Sequence, residues 1–143
     1  MLVRERYLIP AHGEDVEAVA LGVSTLFALC ETFAQPGLIF VPARRAMEDT
    51  TLAQVLSEQQ IDLLMAGASV ATPSGQAIAL CFHLSCKTHR NSAVILALWA
   101  CEDTIAELES QPQCKAMVVV PWLPDDIKNW KSQQSPIVFG RDN

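Results

Sequence analysis

The chain has 143 residues, half of them hydrophobic, with 10 Lys and Arg against 16 Asp and Glu and a formal net charge of −6. A chain of this length removes roughly 68–70% of its unfolded surface from water, so its core needs neither disulfides nor a structural metal. With 18% charged residues it is too apolar for intrinsic disorder, and its shortage of cations argues against nucleic acid, because phosphate binding draws on clustered Lys and Arg.

One domain spanning residues 1–143 is the expectation at this size. Residues 1–7 show no apolar core behind a basic start, so no secretory signal is read there and a cytoplasmic protein is expected. The five cysteines, Cys30, Cys81, Cys86, Cys101 and Cys114, are odd in number and fall mostly in apolar segments without a C-x-x-C pair. That usage suits reduced, buried thiols.

Taken in chain order, residues 7–9 read as a first short buried strand. A helix is expected over about 14–34, stopped by Pro36 and Gly37. Its uncharged stretch, 18–30, is shorter than the ~20 residues that cross a bilayer, so it reads as a core helix and no membrane association is expected. It is apolar around most of its circumference, through residues such as Val19, Val23, Leu26, Phe27 and Phe33. Such a helix is either sandwiched within the domain or shared with a second copy.

A strand follows at 38–41. The next helix is placed near Thr50, where Thr51 and Gln54 have capping-box spacing, with a strand at 61–65 behind it. The loop 67–76 carries Ser69 and Ser74 but no G-x-S-x-G elbow that would make either a credible nucleophile. Strands at 77–84 and 93–100 are joined by a segment too short for a crossover helix, and an antiparallel hairpin is expected there. A helix near Asp103, with Thr104 and Glu107 at capping-box spacing, leads to a strand at 116–120. Pro124 then opens a last helix. Residues 137–140 fit a short edge strand or a loosely packed tail equally well. The sum is a three-layer α/β fold: a mostly parallel mixed sheet of about five to seven strands, about four helices and one antiparallel hairpin.

Half of the acids stand in adjacent pairs, Glu14-Asp15, Glu48-Asp49, Glu102-Asp103 and Asp125-Asp126, each at an expected helix start. Carboxylates there cap free N–H groups and complement the helix dipole. In a parallel sheet these starts lie at the carboxyl edge, where ligands of such folds bind. Phosphate sites use the same N–H groups, and neither G-x-G-x-x-G nor G-x-x-x-x-G-K-[ST] occurs. No nucleotide and no other cofactor is therefore expected.

His12, beside Glu14 and Asp15, is the best-placed group for acid–base chemistry. If the strands are neighbours, His12, Asp15, Asp103 and Asp125 could share an edge and form a small hydrolase site, with Mg²⁺ as a possible ion. The simpler reading is capping plus a surface histidine. Cys81, His83, Cys86 and His89 lie within nine residues but lack the longer span that lets a chain wrap zinc, so no metal site is assigned. Cys101 precedes a helix start, a position that favours thiolate, yet Glu102 and Asp103 supply the opposing sign and an inert thiol is expected. Lys87, His89 and Arg90 form one basic loop, and Arg44 and Arg45 the other adjacent pair. The hairpin would set that loop at the amino edge, opposite the acids, where it could meet an acidic partner. Trp122 and Trp130 are expected to pack rather than stack on a ligand.

With no phosphate loop, nucleophile motif or metal spacing, the sequence favours an accessory, non-catalytic α/β protein acting through association, as a homo-oligomer or with another protein. The hydrolase using His12 is the alternative. On this reading calorimetry with ATP, NAD or FAD should show no saturable micromolar binding, and a clean micromolar isotherm for any of them would refute it.

Overall fold

Two apolar runs, 94–98 and 116–120, have no polar residue at any position, the pattern of strands covered on both faces. A computed structural model describes residues 5–11, 15–42, 51–81, 93–111 and 113–138. In chain order the elements are β1 (Glu5–Leu8), α1 (Val16–Phe33), β2 (Gly37–Phe40), α2 (Thr51–Val55), α3 (Glu58–Met65), β3 (Val70–Ala71), β4 (Ala77–Cys81), β5 (Val94–Leu98), α4 (Glu102–Glu109), β6 (Ala116–Val120), a 3-10 turn (Pro124–Ile127) that runs into α5 (Lys128–Gln134), and β7 (Ile137–Val138). All seven strands belong to one sheet, ordered β3-β4-β2-β5-β6-β1-β7. Every neighbouring pair is parallel except β3 with β4.

Side-chain alternation along the central strands divides the interior into two cores. Leu96, Leu98, Val118 and Val120 face one side with α1, α2 and α3. Ile95, Ala97, Met117 and Val119 face the other with Ile105 and Leu108 of α4, Ile127 and Trp130. This is the three-layer mixed α/β architecture expected from the sequence. The antiparallel pair, however, is elsewhere. Strands near 77–84 and 93–100 do not form a hairpin, because β4 and β5 lie on opposite sides of β2, both parallel to it. The expectation failed on length: β4 ends at Cys81, so residues 82–93 join the two strands. Extended, they span about 40 Å, whereas the return needs only about 17 Å along the strand and about 10 Å across two strand spacings. A crossover here requires no helix.

The second correction concerns 61–65, which is not a strand but the second half of α3. Ser57 Oγ accepts from the N–H of Gln60, and Gln60 Oε1 accepts from the N–H of Ser57. This capping box starts a new helix after α2. From there Ile61, Leu64 and Met65 follow helical spacing onto the α1-side core while Leu63 is exposed. Likewise α4 starts at Glu102 with Cys101 as its N-cap, so Thr104 and Glu107 lie inside the helix.

α1 begins where Asp15 Oδ1 accepts from the Ala18 N–H at 3.0 Å. It ends at Ala34, whose left-handed backbone (φ 53°) donates to Cys30 and Glu31 carbonyls before Pro36 can clash. Its eighteen residues average a hydropathy of 1.5, long and apolar enough to cross a membrane by composition. Here Val19, Gly22, Val23, Leu26 and Cys30 are buried in the fold, on the side that faces the sheet. The approach is close: a Cβ on Gly22 would stand 3.1 Å from both Leu96 Cδ1 and Val120 Cγ2. At the far end Glu31 accepts from the Thr72 and Ser74 hydroxyls and the Ser74 N–H, bracing the β3–β4 turn against α1. On the opposite face α4 grips α5. Glu102 accepts from the Trp130 N–H and Asn129 Nδ2, and buried Glu109 accepts from Arg6 Nε at 2.8 Å and Trp130 Nε1 at 3.3 Å.

The tightest joint is Gly37, where an added Cβ would lie 2.5 Å from Cys30 Sγ and 3.1 Å from Leu26 Cδ1. Gly37→Ala should cost about 1–3 kcal/mol in urea unfolding through overpacking. Adding Cys30→Ala, which removes the clashing sulfur, should recover much of that loss, and a double variant no more stable than the sum of the singles would contradict the stated contact.

Candidate functional site: the carboxyl edge of the sheet

Because the strands from β4 to β7 run parallel, their carboxyl ends share one edge. After β1 the chain passes to the face covered by α1, and after β6 it passes to the face of α5. A sheet splits open at such a reversal and leaves a crevice. The crevice is present as a cavity of about 110 Å³ lined by residues from the ends of β1 (Leu8, Pro10, Ala11), β6 (Pro121), the 3-10 turn and α5, and closed on one side by Val138 of β7. A similar reversal separates β2, followed by α2, from β5, followed by α4. Cys101 stands at that second point.

Three of the described acids at this edge are committed to the backbone. Asp15 caps α1, Asp126 Oδ2 accepts from the Leu123 N–H at the head of the 3-10 turn, and Glu102 holds the start of α5. Asp103 and Asp125 are exposed on their own helical turns. Among the described residues no three His, Cys, Asp or Glu side chains come close enough to hold a metal. His12 of the proposed hydrolase set lies outside the described residues, as do Glu14, Glu48, Asp49, Arg44 and Arg45. Of the Cys81, His83, Cys86 and His89 set only Cys81 is described, buried on the α4 side. Lys87 and Arg90 also fall outside. The argument that set the basic loop at the amino edge loses its premise, because β4 and β5 are parallel.

The Cys101 thiol departs from the sequence expectation. It is exposed and sits 3.4 Å from Thr104 Oγ1. The Thr104 hydroxyl, then its backbone N–H and that of Asp103, hold the thiol below its ordinary pKa, outweighing burial and the charge of Asp103. The local donors at the helix start therefore prevail over the neighbouring carboxylate charge. Such a thiol carries more thiolate at a given pH than an unperturbed one, but its partners among the described residues are hydroxyl and amide groups, and none is a general base. Cys30 is the opposite case, fully buried and pushed up to about 12 by desolvation and then by the Glu31 charge.

Sequence reasoning also missed Trp99. It follows β5 directly in a left-handed backbone conformation (φ 56°), which costs a bulky residue roughly 1–3 kcal/mol. Its backbone N–H continues the ladder to the Val120 carbonyl at 2.7 Å. Its indole meets Trp122 edge to face, with ring centroids 6.0 Å apart and an interplanar angle of 85°, while its buried Nε1 has no hydrogen-bond partner among the described residues. Trp122 is thus packed on one side and 40% exposed, whereas Trp130 is buried as expected.

Among Cys30, Cys81, Cys101 and Cys114, limited iodoacetamide treatment should alkylate Cys101 first. Its rate should rise with pH to a midpoint below the ~8.5 of a free cysteine, because a depressed pKa supplies thiolate at lower pH. Peptide mapping that finds Cys30 modified as fast in the folded protein would contradict the arrangement.

No protein-family model, curated protein or solved structure matches this chain.

Proposed function

We propose that this chain is an accessory α/β protein that acts by self-association, two copies joining edge to edge along β7. The observation that carries the reading is the distribution of exposed apolar side chains. Of the six large ones among the described residues, Val16, Trp122, Leu123, Ile137 and Val138 belong to segments that follow β1, follow β6 or form β7, and only Leu63 lies elsewhere. β7 pairs with β1 alone among the described strands, and Ile137 is 57% exposed. An edge strand with apolar side chains and no charge of its own is a template for pairing. Pairing with the same strand of a second copy about a two-fold axis is self-complementary and closes at a dimer. Pro136 removes one backbone donor beside the strand, so burial of Trp122, Leu123 and Ile137 must supply most of the affinity.

The hydrolase reading built on His12, Asp15, Asp103 and Asp125 has no observation among the described residues in its favour, since Asp15 is bound to the α1 start and Asp103 and Asp125 point to solvent-exposed positions.

Light scattering coupled to size exclusion should give a dimer mass at micromolar concentration. Ile137→Lys, which places a charge on the edge without touching the core, should give a monomer with an unchanged circular dichroism spectrum, and Leu63→Lys on α3 should leave the dimer intact. A monomeric wild-type protein, or a dimer that survives Ile137→Lys, would overturn the proposal.

A further inference from the structure

The geometry points to a ligand site: we propose that the cavity between the carboxyl ends of β1 and β6 binds a small branched aliphatic carboxylate. It lies at the switch point of the sheet, the place where open α/β folds take their ligands, and it joins the two cores, with Ala11 belonging to one and Leu8 and Ile127 to the other.

Its chemistry selects the ligand class. Pro10, Pro121 and Pro124 contribute three backbone positions without an N–H, so these walls offer no donors to a phosphate. Of the helix-start donors nearby, the Ala18 and Leu123 N–H groups already serve Asp15 and Asp126. Among the described residues the remaining wall is aliphatic except for Lys131. Lys131 is exposed and has no salt bridge among the described residues. A lysine that lines a cavity yet remains exposed can lay its methylene stem along the wall with its ammonium at the mouth. An apolar hole with a single cation at its rim is complementary to an apolar body carrying one anionic head.

Size narrows the class further. At about 110 Å³ the cavity is well below the ~300–1,000 Å³ of sites for drug-sized ligands and cofactors. It has room for roughly four waters at ~30 Å³ each. A short branched acid of the isovalerate type matches that space and charge, and nucleotides and flavins do not. The site adjoins the proposed dimer contact at Val138, which lines it, whereas Ile137 does not.

Titrations of the full chain with sodium isovalerate, isovaleramide and sodium phosphate at constant ionic strength, followed by amide NMR, test the proposal. Isovalerate should cause saturable shifts at Ala11, Ile127 and Val138 in the millimolar range. Isovaleramide and phosphate should bind about tenfold more weakly or not at all, the size of one charge-assisted hydrogen bond. Lys131→Met should bring isovalerate down to the level of the amide, and Val138→Trp, at an exposed position, should block both. Ile137→Lys should bind isovalerate as the wild type does, whatever its oligomeric state. Absence of saturable shifts at these residues, equal binding of acid and amide, or an unaffected Lys131→Met variant would overturn it.

Discussion

Burial of β2, β5 and β6 on both faces is the constraint from which the other features follow. Every residue of these three strands is buried, so neither face of the sheet centre can be left to water. The chain must return over both sides, which forces helices into two layers and gives alternate residues of one strand to different cores. It also demands that α1 lie low. Gly22 lets the helix axis approach the Leu96 and Val120 side chains, and Gly37 lets the start of β2 pass beneath Cys30. Periphery and centre then differ in kind, since β7 at one edge is short and exposed on both of its residues.

The same layering decides what the acids do. Carboxylates in this chain act as connectors: Asp15 and Asp126 satisfy helical starts, Glu31 braces a turn against α1, and Glu102 and Glu109 tie α4 to α5 and β1. A carboxylate committed to backbone donors is not free for a metal, and donors committed to carboxylates are not free for a phosphate. What survives at the switch point among the described residues is apolar wall, proline and one lysine. The character of the cavity is thus a by-product of how the fold satisfies its own polar groups.

Most of the architecture was legible where burial is symmetrical. The runs at 38–41, 93–100 and 116–120 read as strands because nothing polar interrupts them, and Pro36 marked the end of α1. The run at 61–65 was misread because a short apolar stretch fits either period, and the signal that decides it, Ser57 with Gln60, stands upstream. Placement of β5 across β2 from β4 depended on strand order, which no local pattern encodes. The cavity was illegible for a related reason. Its walls come from Pro10, Pro121 and Val138, far apart in the chain and adjacent only because β1 lies between β6 and β7. At Cys101 the sequence supplied the charges but not the distances, and the nearby hydroxyl and amides of Thr104 outweigh Asp103.

That position of β1 has a temporal meaning as well. Glu5 pairs with Ala116 and Leu8 with Val138, so β1 has no neighbour among the described strands until residues 116 and beyond have been made. α1 can form early, but the sheet surface it covers on β5 and β6 arrives much later, and its apolar face must wait exposed. Contacts of this sequence separation make for slow folding. The nascent chain therefore presents an unpaired strand and a greasy helix together for most of its elongation, which makes the window before β6 emerges the one in which a chaperone would matter most to this protein.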